Sequence, residues 1–338
     1  MFEIQNRRYI GSKTKLLAQI DEVIRETGFD IKGKTFADLF AGTGVVAHYF
    51  AEKGCKVIVN DLLYSNYVVY KALISSERVD AEKIQRTLTE LNLLDGAKLQ
   101  DNYFSEIYSE KYFSANDCKK IGYIRDLIEE RKKTYNEREY YIILTSLLYA
   151  VDKVANTVGH FEHFLKKAPL DSNFLLCMPN VEYFPYCKLF NMDSNLLAKE
   201  IKADVVYLDP PYNARQYVNF YHVLENLMRW NKPTEFEGSS MKFKRNNLKS
   251  GYSRAIATKL MKELIDSLDT KIIVVSYNNT YNAKSGASNN KIKEEELEDI
   301  LKSKGEVLVK EIKYKFFNSG KTDLKNHLEK LYVCKVGK

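Results

Sequence analysis

An α/β fold with a mostly parallel sheet and an inserted helical subdomain is the architecture this sequence predicts. Three observations carry it. Short apolar runs alternate with helical stretches towards both ends of the chain, glycines stand where the first such run turns into a helix, and a long helical tract separates the two ends. Alternation of this kind builds βαβ units whose sheet is covered on both faces.

Taken in order, residues 34–40 (KTFADLF) read as a strand running into the turn AGTG, 45–52 as a helix, and 56–60 (KVIVN) as a second strand ending at Asp61. That is one βαβ unit. Further on, 188–192 and 204–208 (DVVYL) read as strands, and 271–276 (KIIVVS) is the clearest buried strand of the chain. Segments 307–314 and 330–336 are expected to close the sheet as an antiparallel pair. Between 63 and 186 the pattern changes to helices, among them 81–91, 118–131 and 137–156, punctuated by aromatic and basic residues. Roughly 150 residues separate Asp61 from Asp209, whereas two βαβ steps need about 60. The surplus predicts an insert over 64–185 in a body made of 1–63 and 186–338. Residues 231–253 are the most loop-like stretch, polar and basic.

Composition narrows the class. With 338 residues, 45% hydrophobic and 29% charged, the chain reads as an ordinary globular protein. No apolar run reaches membrane-spanning length and the N-terminus carries charges rather than a signal block, so no membrane association and a cytoplasmic location are expected. Cys55, Cys118, Cys177, Cys187 and Cys334 are scattered without a C-x-x-C pair, which predicts neither disulfide framework nor metal site. The net charge of +7 suits a polyanionic partner.

The sharpest motif is Asp209-Pro210-Pro211-Tyr212, directly after the strand DVVYL. Ligands of parallel sheets sit beyond the carboxyl ends of strands. An aromatic exocyclic amine is a poor nucleophile because its lone pair is delocalised into the ring. Accepting its two N–H groups on the Asp209 carboxylate and the Pro210 carbonyl returns electron density to nitrogen. The prolines fix that carbonyl in place, and Tyr212 offers a face for stacking a flipped base. The second motif is Phe40-Ala41-Gly42-Thr43-Gly44, whose glycines allow a ligand close to the backbone. Asp61, about 17 residues on, is placed to accept from ribose hydroxyls. Val45-Val46-Ala47 follows Gly44, so no G-x-G-x-x-G is completed, and GSKTK lacks phosphate-loop spacing.

Together RRYIGSKTKLL, DLFAGTG, Asn60-Asp61 and YLDPPY resemble the Dam-like, alpha-group adenine-specific (N6) DNA methyltransferases. Supporting blocks (YFSANDCKKIGYIRDLIEE, ANTVGHFEHFLK, NARQYVNFYHVLEN and SYNN) extend the likeness over nearly the whole chain. The resemblance implies a Rossmann-like S-adenosylmethionine-dependent methyltransferase fold with an antiparallel last strand. In that fold the insert serves as target recognition domain. It implies S-adenosyl-L-methionine as cofactor, held by Tyr9, Gly11, Lys13, Asp38, Phe40, Gly42, Gly44, Asp61 and Asp193. Lys13 would pair with the cofactor's carboxylate, and Asp193 would accept from its adenine amine; an N-cap role suits Asp193 equally. Asp209, Pro210, Pro211 and Tyr212 would grip the target adenine.

Double-stranded DNA is the implied partner. Arg8 aligns with a DNA-contacting lysine, Arg215 follows the catalytic loop, and Lys242, Lys244 and Arg245 form a basic loop. A restriction-modification or an orphan modification enzyme would fit, the former with a cognate restriction endonuclease acting on the same site. Two other readings remain at this point: the same fold acting on RNA adenine or a protein amide, and a non-catalytic nucleic-acid-binding partner. His222 and Glu225 share one helix face and are expected to be structural.

Overall fold

The computed structural model describes residues 1–281, 286–313 and 328–337. These fall into two compact units.

The first unit takes residues 12–62, 186–217 and 247–338 and holds a seven-stranded sheet. Its strands are β1 (Thr35–Asp38), β2 (Lys56–Asn60), β3 (Cys187–Phe190), β4 (Val205–Leu208), β5 (Ile272–Asn278), β6 (Gly305–Lys313) and β7 (Leu328–Val336). They lie in the order β3-β2-β1-β4-β5-β7-β6. β7 runs antiparallel to both its neighbours, and every other pairing is parallel. This is the topology the resemblance implied. Expected and observed strands agree to within a few residues; Tyr314 of the expected 307–314 segment lies outside the described residues.

All seven residues of β5 and all four of β4 are buried, as expected for strands covered on both faces. On one face Ala37, Leu39, Ile58, Val206, Leu208, Ile273 and Val275 pack with Met261, Leu264 and Ile265 of helix Ala257–Ser267 and with Leu297 and Leu301 of helix Glu294–Lys302. Helices Leu17–Glu26 and Val45–Glu52 pack elsewhere on the sheet, the first on β5 and β7, the second on β1 and β2. Phe50 of the second stacks on Phe36 of β1 with ring centroids 4.0 Å apart.

Parallel pairing of β1 with β2 on one side and β4 on the other brings their carboxyl ends to one edge, where the chain leaves at Leu39, Asp61 and Asp209. At β1 the strand order reverses direction, which is where open α/β sheets bind ligands. Because β7 is reversed, it begins rather than ends at this edge, with Glu329 opposite Asn278 of β5.

The second unit takes residues 1–11, 63–185 and 218–246. Its centre is helix Glu137–Val154, buried along most of its length. Helices Tyr64–Leu73, Ala81–Asn92, Ala115–Glu130 and His222–Arg229 pack on it. Their starts carry the expected chemistry. Asn136 and Glu139 form a reciprocal capping box, Ser114 accepts from the Asp117 N–H, and Asp80 from the Lys83 N–H. Within the stretch read as a loop, Phe236–Glu237 and Lys242–Phe243 pair as a short antiparallel hairpin. A polar, basic run hides strand residues that short. Among the described residues no helix is long and apolar enough to cross a membrane.

Candidate active site

At the carboxyl edge of the sheet the turn 39–44 is shaped by its glycines. Gly42 and Gly44 have φ of 54° and 84°, conformations costly for residues with a Cβ, and Gly44 caps helix Val45–Glu52. The Gly42 N–H donates to Asp61 Oδ2 at 2.9 Å, so the acid at the end of β2 also sets the loop at the end of β1. Phe40 lies edge-on to Tyr252, centroids 5.0 Å apart.

Asp38, the last residue of β1, is 1% exposed, and neither carboxylate oxygen finds a well-formed hydrogen bond among the described residues. Burial, then the charge of Asp209, push its pKa well above the usual carboxylate range, with the Phe40 N–H giving partial relief. A buried acid so weakly partnered is costly. A cationic group in the turn would resolve it, and the ammonium of S-adenosylmethionine supplies such a group. The donor and acceptor set of the turn therefore fits that cofactor.

Asp209 follows β4 directly. Its carboxylate meets the Lys13 ammonium at 2.9 Å and accepts from the Tyr212 hydroxyl. Lys13 also lies 3.3 Å from Glu329 and donates to the Tyr212 hydroxyl at 2.6 Å. Glu329 Oε1 is 3.0 Å from the Tyr212 hydroxyl and 2.6 Å from Ser276 Oγ, which donates to it. The Tyr212 hydroxyl has one proton to give, so it donates to one carboxylate at a time. Its ring lies edge-on to Tyr277, centroids 4.9 Å apart.

Burial, with the Glu329 charge behind it, raises the Asp209 pKa to about 6, against the opposing pull of Lys13 and the Tyr212 hydroxyl. Burial alone would depress the Lys13 ammonium; Asp209 and Glu329 overcome that and hold it above the ordinary lysine value. A carboxylate poised near neutrality at a strand end makes Asp209 a candidate working group.

The structure thus brings Lys13, Asp38, Phe40, Gly42, Gly44, Asp61 and Asp209–Tyr212 into one unit. Asp193 is in the same unit as the N-cap of Ser194–Leu197, accepting from the N–H groups of Asn195 and Leu196 at 2.9 and 3.2 Å. Arg215 is exposed there and its guanidinium reaches Ser288 Oγ at 3.3 Å.

Tyr9, Gly11, Arg8, Lys242, Lys244 and Arg245 belong to the helical unit. Tyr9 stacks on Tyr221 with centroids 4.6 Å apart, and the Tyr221 hydroxyl accepts from the Ile10 N–H at 2.8 Å. Arg8 is tied to Asp152 through its backbone N–H at 2.9 Å and an ion pair at 3.6 Å. Lys244 is exposed and Lys242 half-buried. Arg245 is buried, donating to Asn219 Oδ1 and the Phe243 carbonyl, each at 2.8 Å, with Glu237 at 3.4 Å.

His222 Nε2 lies 2.9 Å from the Phe161 carbonyl, and burial lowers its pKa to about 3. Buried Glu225 accepts from the Ser65 N–H at 2.6 Å, at the start of helix Tyr64–Leu73, and pairs with Arg229 at 2.9 Å. Sequence reasoning missed Glu329, Ser276 and Tyr221. A charged residue opening an apolar strand was the one available hint for Glu329.

The model of the family described as D12 class N6 adenine-specific DNA methyltransferase matches residues 9–281. The modification methylase StsI of Streptococcus sanguinis is 37% identical over 92% of this chain and 49% of its own length. The type II methyltransferase M.NlaIII of Neisseria lactamica is 31% identical over 94% and 95%. M.FokI of Planomicrobium okeanokoites is 30% identical over 88% and 47%. The chain therefore spans about half the length of the StsI and FokI proteins and nearly all of the NlaIII protein.

Proposed function

We propose, since this chain belongs to the D12 class of N6 adenine-specific DNA methyltransferases, that it methylates the N6 amine of a specific adenine in double-stranded DNA. The observation that carries the reading is the Asp209 carboxylate, at the strand end with its side chain 16% exposed and its pKa lifted to about 6.

Bound S-adenosylmethionine would supply an electrophilic methyl group on a sulfonium, taken by the amine in direct in-line displacement as the C–S bond breaks, S-adenosylhomocysteine leaves as the thioether and the amine gives up one proton. Asp38, Phe40, Gly42, Gly44, Asp61 and Asp193 are the residues of this unit that we assign to holding it, Asp38 through its unsatisfied carboxylate and Asp61 at the ribose. Asp209 accepts one N–H of the target amine and the Pro210 carbonyl the other, so the nitrogen lone pair is freed for attack. The work of these groups is positioning and electrostatic preorganisation. The target base must leave the duplex to reach them, at a cost of roughly a few kcal/mol. We assign target recognition to the insert 64–185. A cognate restriction endonuclease cutting the same site is the partner we propose, on the strength of relatives named as modification methylases and type II methyltransferases.

The experiment is tritiated-methyl transfer to duplex DNA, RNA and protein, with nucleoside analysis of the product. N6-methyladenine in DNA is expected. Label confined to RNA or to protein amide would overturn the reading.

A further inference from the structure

If Asp209 is to accept the target amine, as proposed above, its oxygens must first be given up by what holds them. In this structure that is the Lys13 ammonium at 2.9 Å and the Tyr212 hydroxyl. Lys13 is 6% exposed. An ammonium pulled from its only carboxylate at such depth would be left as an unpaired buried charge, which is strongly unfavourable. Here it is not its only carboxylate. Glu329, 4% exposed, already lies 3.3 Å from the same nitrogen. Ser276 of β5 fixes that carboxylate by donating to it at 2.6 Å, and the Tyr212 hydroxyl lies 3.0 Å away. Both groups that occupy Asp209 thus have an alternative acceptor in place, one oxygen of one residue.

We propose that Glu329 is the second seat of Lys13 and of the Tyr212 hydroxyl, a positioning residue that keeps both satisfied while Asp209 turns to the acceptor amine. The inference rests on the function proposed above. It holds equally if Lys13 reaches towards a cofactor carboxylate, because Glu329 remains its fixed partner. The reversed direction of β7 makes the arrangement available, since a parallel strand there would finish, not start, at the catalytic edge.

Glu329 also leaves a mark on titration. Among the described residues, the charged and titratable groups acting on or acted on by Asp209 are Lys13 from the N-terminal segment, Asp38 from β1, Tyr207 from β4, Tyr212 from the loop beyond it, Tyr217 at the start of the short helix Tyr217–Phe220, and Glu329 from β7. Of these, Glu329 is a like charge that lifts the Asp209 pKa. Removing it should lower that pKa.

The test is Glu329→Gln in the full chain, with unmethylated genomic DNA and tritiated S-adenosylmethionine, reading kcat/KM for DNA against pH. That ratio reports groups of the free enzyme. Expected are a fall of at least about tenfold at neutral pH, because the Lys13 ammonium then has Asp209 as its carboxylate and no Glu329 charge to turn to, and an acidic limb displaced to lower pH. Glu329→Asp keeps the charge but shortens its reach. It should slow turnover with the limb at the wild-type pH, and it serves as the test if the amide variant fails to fold.

A Glu329→Gln enzyme with wild-type rate, or one slowed with its limb unmoved, overturns the proposal, as does Glu329→Asp at the wild-type rate. A wild type that labels no DNA adenine overturns the proposed function and this inference together. An active wild type beside an unaltered Glu329→Gln overturns the inference alone.

Discussion

The Lys13 ammonium lies 2.9 Å from the Asp209 carboxylate, although 196 positions separate them in the chain. This contact ties the N-terminal GSKTK segment to the strand-end DPPY motif and decides how each behaves. Asp209 is kept from a still higher pKa by Lys13, and Lys13 stays charged at depth because of Asp209 and Glu329.

Asp209→Ala removes the acceptor proposed for the target amine. Turnover should fall roughly 100-fold or more, the scale of deleting one preorganised polar group from an active site. Lys13 keeps Glu329 as partner in that variant, so the protein should still fold and bind S-adenosylmethionine through the 40–44 turn. Calorimetry for binding and single-turnover labelling for the rate separate the two. Wild-type turnover would remove Asp209 from the chemistry.

The pH dependence follows from the same group. Asp209 is a strong hydrogen-bond acceptor for the target amine only when ionised, and its pKa is raised from the ordinary 3.8 to about 6. Activity is therefore expected in full above that value and to be lost as pH falls through it. A kcat/KM profile flat down to pH 4 would show that the carboxylate's ionisation does not matter.

Asp38 predicts a proton count. Its pKa is raised by burial and by Asp209, and its oxygens lack well-formed hydrogen bonds among the described residues. An arriving ammonium stabilises the ionised form and expels a proton. Calorimetry of S-adenosylmethionine binding in two buffers of different ionisation enthalpy should report proton release near pH 7, abolished in Asp38→Asn. Equal heats in both buffers for the wild type would mean Asp38 is already ionised.

Asp61→Ala should weaken S-adenosylmethionine by roughly 1.5–3 kcal/mol, the usual worth of hydrogen bonds to a charged group. Because Asp61 also accepts from the Gly42 N–H, part of that loss would come from a loosened turn. Asp61→Asn retains an acceptor for that N–H and should recover part of it, as titration calorimetry on both variants would reveal.

Much of this was legible in the sequence where local signals suffice. The strands around FxGxG and DPPY, the order of the motifs and the long helices could be read because apolar runs, glycines and N-caps announce themselves within a few residues. What was not legible depends on chain folding back on itself. Nothing near Lys13 announces Glu329, which reaches it only because β7 is reversed and pairs with β5. Nor does anything in KFKRNN distinguish Arg245, buried on Asn219 and the Phe243 carbonyl, from its exposed neighbour Lys244. Charge alone gives both the same reading.

That last distinction sets the test of the loop proposed to face DNA. Lys244 is exposed and Lys242 half-buried, whereas the Arg245 guanidinium is committed to protein acceptors. If the two lysines meet phosphates, the double variant Lys242→Ala with Lys244→Ala should weaken all DNA sequences alike. The slope of log affinity against log salt should then fall by nearly one unit per lost contact. Arg245→Ala should behave differently: it strands buried acceptors and should cost about 1–3 kcal/mol of stability, seen as a lower melting temperature, with the salt slope little changed. Fluorescence anisotropy across a salt series, paired with thermal melts, reads both quantities. An unchanged slope in the lysine double variant would take the loop off the DNA and leave binding to the helices of the insert.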